Sequence, residues 1–176
     1  MVTLSTLEYV QGALTLAFIT ISFILGLTII SKYFKYKKRQ LLLVGTTWIL
    51  LVSPYWPDAI SFLMILFTGV ELTVPAYFFI ATVFVPPLWI TWGIVFSDFL
   101  YKSKQKIILA IFSAVGIIYE ISVLGTFFAD YQLIGTKYGP FTVSYADFII
   151  VFLLISIVMF LFTGILFVRE SLRSSN

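Results

Sequence analysis

The sequence predicts an all-α membrane protein: a bundle of five transmembrane helices, N-terminus outside and C-terminus cytoplasmic, with kinked second and third helices. Composition is the first observation behind this. Of 176 residues, 61% are hydrophobic, 19% aromatic and 11% charged, and mean hydropathy is +1.08. A soluble domain carries about 25% charged residues, so this chain lacks the charge to coat a water-facing surface. Run length is the second. A helix needs about 20 mostly apolar residues to cross about 30 Å of hydrocarbon, and five stretches meet that requirement. Charge sorting is the third. Cytoplasmic loops collect Lys and Arg, and ten of the 11 bases fall in segments that five crossings place on one side. The whole chain, 1–176, reads as one transmembrane domain.

The first span covers about residues 9–30. Ser5-Thr6-Leu7-Glu8 before it has the capping-box pattern. Gln11, Thr15, Ser22 and Gly26 form a small and polar stripe along it. No basic region precedes it, so it reads as an uncleaved anchor and not as a cleaved signal peptide. Behind it come Lys32, Lys35, Lys37, Lys38 and Arg39. The second span, about 41–67, holds Pro54, Pro57 and Asp58, and Glu71 follows it on the outside. The third, about 77–99, carries Thr82, Pro86, Gly93 and Ser97 on one stripe. It ends at Asp98, which reads as an interfacial charge beside Lys102; Lys104 and Lys106 follow. The fourth, about 107–128, lines up Ala110, Ser113, Gly116 and Glu120.

Outside, 131–135 and 141–145 flank a Gly139-Pro140 turn, so this stretch is either a short hairpin on the surface or an ordinary connecting loop. Lys137 there is the one base on that side. Ser144-Tyr145-Ala146-Asp147 resembles a second capping box before the fifth span, about 147–168, which offers Ser156, Thr163 and Gly164 to its neighbours. The tail adds Arg169 and Arg173. Tyrosines cluster near both ends of the spans, Tyr77 and Tyr145 among the outer ones, as in interfacial aromatic belts.

Ionisable groups within hydrocarbon are rare and raise a functional hypothesis. Glu120 stands 13 residues past Ile107, roughly 20 Å from the inner boundary on a helical rise. Asp58 stands 17 residues past Leu41, roughly 25 Å on the same count. The prolines of the second and third spans converge at a similar depth. Interrupted helices turn freed carbonyls and helix ends toward a cavity. Glu120, Asp58, Pro54, Pro57, Pro86 and Pro87 therefore form a candidate intramembrane polar or transport site, with Trp48, Trp56, Trp89, Trp92 and Tyr119 as candidate lining. A structural reading stands beside this one. Proline kinks are common in membrane helices, Glu120 can be neutral and hydrogen-bonded to a Thr or Tyr, and Asp58 can lie at headgroups or cap the half-helix after Pro57.

Histidine and cysteine are absent. That excludes metals and haem held by imidazole or thiolate, disulfides, nucleophilic cysteine and Ser-His pairs. Every lysine lies in a loop or at a span end, which removes a mid-membrane Schiff base. The Gly-Asp motif of intramembrane aspartyl proteases is missing, and so is a Walker A sequence. The expectation is a non-enzymatic protein of the cell membrane with no cofactor and no metal. It would be a sensor- or receptor-like module or a subunit of a membrane complex. A small transporter or proton-coupled permease using Glu120 and the kinked helices is the alternative. Expected partners are the lipid bilayer and other membrane subunits or a second copy, not nucleic acid. The net charge of +3 reflects bases that set orientation and meet anionic headgroups, each contact worth about 1 kcal/mol.

The run Ser53-Pro54-Tyr55-Trp56-Pro57, the following Ala59-Ile60-Ser61-Phe62-Leu63, the mid-helix prolines of the third span and the tail from Arg169 resemble segments of uncharacterised archaeal multi-pass membrane proteins. The resemblance implies a sensor-type module and brings no activity with it. Members of this kind carry seven spans, with a pair of helices after the tail. On that resemblance the present chain is a five-span member or stops short.

Overall fold

The structure, a computed structural model, describes residues 2–174, with the side chains of Ser171, Arg173 and Ser174 outside the described set. The headgroup contact expected of Arg173 lies outside the described residues. Five helical segments are long and apolar enough to cross a membrane: Thr6–Tyr36, Arg39–Thr68, Val74–Leu100, Lys102–Ala129 and Asp147–Glu170. They run past the limits read from the sequence because flanking residues continue the helices, polar ones such as Lys32, Arg39, Gln105 and Glu170 and, in the third segment, the apolar residues 74–76 and Leu100.

α1 (Thr6–Tyr36) starts on the expected capping box. The Ser5 N–H and hydroxyl both donate to Glu8 Oε2, at 2.8 and 2.7 Å, and the Glu8 N–H donates back to Ser5 Oγ at 3.3 Å. The helix ends at Lys37, which takes a left-handed φ of 53° and donates its N–H to the Tyr33 carbonyl. Its buried stripe is Gly12, Ile19, Ser22 and Gly26. The stripe therefore begins one residue round from Gln11, which is exposed. α1 packs along α2 (Arg39–Leu51) through glycine against glycine: a Cβ on Gly45 would stand 2.6 Å from the Gly26 carbonyl oxygen. Close backbone approach of this kind is how helices associate in lipid.

The second segment is two helices and not one continuous helix. α2 gives way to a 3-10 turn, Ser53–Tyr55, before α3 (Trp56–Thr68). Pro54 and Pro57 bring no N–H to the carbonyls four residues earlier, so the ladder breaks there. α3 closes at Gly69, whose left-handed φ of 71° suits a residue without Cβ. The third segment divides likewise into α4 (Val74–Val83) and α5 (Val85–Leu100), which meet at Phe84. Pro86 and Pro87 fall in the first turn of α5, where no intrahelical partner awaits the missing N–H.

After α6 (Gln105–Ala129) come a 3-10 turn, Tyr131–Leu133, and a two-stranded antiparallel hairpin, β1 (Gly135–Lys137) and β2 (Val143–Tyr145). The register pairs Gly135 with Tyr145 and Lys137 with Val143. The Tyr138 N–H donates to the Thr142 carbonyl at 2.8 Å across the Gly-Pro turn. Of the two readings of this stretch, the hairpin is the one found. Its first strand starts later than the sequence suggested because Asp130 caps the 3-10 turn through the Gln132 N–H at 2.9 Å. Ser144 stands in β2 and does not cap α7 (Asp147–Ser174); Asp147 occupies that helix's first turn.

The hairpin straps one end of the bundle. Ile134 is fully buried, and Phe141 lies with its ring 6.1 Å from that of Phe62. Val2 and Leu4 pack against the same cluster. Val143 and Tyr145 cover the main core of Tyr77, Phe78, Trp89, Tyr119, Val123 and Ile149. Tyr77 is thus a core residue and not part of an interfacial belt. The opposite end is basic, with Lys32, Lys35, Lys37, Lys38, Lys102, Lys104 and Lys106 all exposed. Arg169 is exposed as well.

Candidate functional site

Polar groups gather under the hairpin. Asp58 lies in the first turn of α3, directly after the proline that restarts the helix. The Tyr77 hydroxyl, from the first turns of α4, donates to its Oδ1. Lys137 descends from β1, and its charge acts on Asp58. Its ammonium donates to Glu71 Oε2 at 2.6 Å and to the Leu72 carbonyl at 3.4 Å. The same ammonium lies 5.2 Å from the centroid of the Tyr77 ring, within range of a cation–π contact. The Lys137 side chain is 3% exposed and that of Glu71 38%. Burying an ammonium is costly unless carboxylates and other acceptors surround it, and here they do. Tyr145, on the facing strand, also feels the Asp58 charge. Burial pushes the Tyr145 hydroxyl above its ordinary value, and the Asp58 carboxylate acts in the same direction, so this phenol stays neutral through physiological pH. A cavity of about 310 Å³ opens beside Lys137, lined by Val74, Tyr131, Gln132, Gly135 and Thr136.

The two helix breaks adjoin each other deeper in the bundle. The Trp56 ring lies 4.8 Å from that of Phe84. Gly116 of α6 faces Pro86, which a Cβ would meet at 3.4 Å, and Glu120 follows one turn later. Among the described residues, four buried polar atoms make no hydrogen bond within the protein: Ser53 Oγ and Trp56 Nε1 at the first break, and Tyr119 Oη and Glu120 Oε2 on α6. Asp58 and Glu120 thus keep different company, the first with Tyr77 and Lys137, the second near the Pro86 break. Pro87 points outward and is exposed, whereas Pro57 and Pro86 are buried and Pro54 is half-buried.

The aromatic residues expected to line one cavity divide among several tasks. Trp89 donates its indole N–H to Ser156 Oγ at 2.9 Å, and Trp92 donates to Thr163 Oγ1 at 2.8 Å. Both bonds tie α5 to α7. Trp92 also joins Trp48, Val44, Thr47, Leu51 and Phe160 around a separate groove of about 240 Å³. Tyr119 is core, 1% exposed, with its ring 4.9 Å from that of Phe152.

At the basic end Arg39 has a partner more specific than a headgroup. Its guanidinium grips Asp98 through both oxygens, at 2.8 and 2.9 Å, and Gln105 donates to the same carboxylate at 2.7 Å. The Asp98 side chain is 1% exposed, so it is a buried tie between α2, α5 and the start of α6. Among the described residues, no group of three His, Cys, Asp or Glu is placed to hold a metal ion.

Comparison of the chain with family models, with curated proteins and with solved structures gives no match. The Glu71, Tyr77, Lys137 and Tyr145 constellation around Asp58 escaped the sequence reading. One signal pointed to it: Lys137 is the single base that the expected topology leaves on the outer side.

Proposed function

We propose that the protein is a non-enzymatic multi-pass protein of the cell membrane, working as a sensor- or receptor-like module or as a subunit of a membrane complex. In this reading the hairpin end faces outward and the basic end faces the cytoplasm. The observation that carries it is the strapped polar cluster: a half-buried ion pair, a tyrosine–carboxylate bond and a cavity gathered at one end of the bundle, where a soluble signal would arrive. Such a module acts through a partner or a second copy. Purification from native membranes in mild detergent is expected to retain a stoichiometric membrane partner or a self-associated form. Recovery of a lone monomer under conditions that preserve known complexes refutes the reading.

A transporter is the second reading, favoured by the adjoining breaks at Ser53–Tyr55 and Phe84 and by the unpaired polar atoms beside them. Interrupted helices with polar groups at their ends are a recurrent design for mid-membrane sites. Flux into liposomes is expected to fall at least about tenfold in Glu120→Gln if Glu120 carries a coupling proton. Unchanged flux removes Glu120 from the mechanism.

A further inference from the structure

The geometry around Lys137 is that of a receptor for an ammonium group that the chain's own lysine fills. Glu71 Oε2 at 2.6 Å, the Leu72 carbonyl at 3.4 Å and the Tyr77 face at 5.2 Å surround one nitrogen, and Asp58 stands behind Tyr77, accepting a hydrogen bond from its hydroxyl. Carboxylate, carbonyl and aromatic face together are the means by which proteins recognise amines. The lysine is 3% exposed in its side chain, yet it also borders the 310 Å³ cavity lined by Tyr131, Gln132 and Thr136. Lys137 is therefore the one residue common to the ammonium contacts and to the cavity lining. The strand that bears Lys137 is held in place independently of it, by the ladder to β2, by buried Ile134 and by Phe141 on Phe62. The flexible lysine stem can swing into the cavity while its backbone stays in register.

We propose that Glu71, Leu72, Tyr77 and Asp58 form a binding site for a primary ammonium compound, entered through the cavity beside Gln132, with Lys137 as a displaceable tethered occupant. The site goes beyond the functional reading above and serves a sensor or a transporter alike. A tethered group competes at an effective concentration of about millimolar or more, so an external amine meets a threshold set by Lys137. Removing the lysine removes that competitor and leaves a space the shape of n-propylammonium.

The test uses the full chain in detergent micelles, with n-propylammonium as probe and 1-propanol as its uncharged counterpart. Lys137→Ala is expected to bind n-propylammonium at least about tenfold more tightly than the wild-type chain does. It is also expected to bind that probe at least about tenfold more tightly than Lys137→Ala/Glu71→Gln does, with 1-propanol giving no saturable binding. Equal binding by the single and double variants overturns the proposal. A second measurement uses the wild-type chain and does not depend on the variants folding. Acetylation of Lys137, read by mass spectrometry as a ratio to the exposed lysines of the same sample because the probe amine also consumes reagent, is expected to be the slowest among the lysines, and that ratio is expected to rise several-fold with n-propylammonium but not with 1-propanol. A ratio that neither compound changes overturns the proposal.

Discussion

Asp98 shows how much a single side chain can carry in a chain so poor in charge. Its carboxylate is buried, while its partner Arg39 is 61% exposed in its side chain. The two ends of this bond are therefore unequal. Arg39→Ala leaves a buried carboxylate with Gln105 alone, and an unsatisfied buried group costs about 1–3 kcal/mol, more when charged. Asp98→Asn keeps one acceptor oxygen for Gln105, removes the buried charge and leaves the exposed Arg39 to hydrogen-bond with solvent. Denaturation in detergent micelles is expected to rank Arg39→Ala as the more damaging change; equal or reversed effects would contradict the buried tie. Lys37 offers the opposite case. Its left-handed φ of 53° is strained for a residue with Cβ, by about 1–2 kcal/mol. Lys37→Gly is expected to raise the melting temperature despite the loss of a positive charge.

At the scale of elements, breaks and straps matter more than helix length. α7 is held to α5 by two indole bonds to hydroxyls, Trp89 to Ser156 and Trp92 to Thr163. Hydrogen bonds between membrane helices contribute about 0.6 kcal/mol each on average. A double-mutant cycle on Trp89→Phe and Ser156→Ala is expected to show coupling of about that size, and strict additivity would mean the bond adds nothing. The hairpin depends on its tip. Phe141 seats on Phe62, and truncating a buried Phe costs about 3–5 kcal/mol. Phe141→Ala is expected to speed amide hydrogen exchange through Gly135–Lys137 and Val143–Tyr145 while the core helices stay protected. These two strands were hard to place from the sequence, because three-residue strands have too little alternation to announce themselves and an adjacent 3-10 turn takes the residues that look most like strand.

The whole molecule is polarised, with an exposed basic end and a strapped polar end. The chain contains no cysteine, so single cysteines report its orientation without background. Under the proposed topology, Tyr138→Cys reacts with a membrane-impermeant maleimide in intact cells. Lys104→Cys reacts only after permeabilisation. The reverse pattern would invert the protein in the membrane.

The five apolar spans and the grouping of bases between them were legible along the chain, because each depends on residues counted in order. Even the breaks were visible, since a proline lacks its N–H whatever surrounds it. Partnership was not legible. Lys137 meets Glu71 across a separation of 66 residues, and Arg39 meets Asp98 across 59. Asp58 looked like a lone intramembrane charge until the hairpin brought Lys137 over it, and Trp89 looked like cavity lining until α7 supplied Ser156. Local pattern expresses what each residue needs in order to be buried. Which distant group meets that need depends on how the chain folds back on itself, and the candidate site belongs to that second kind of information.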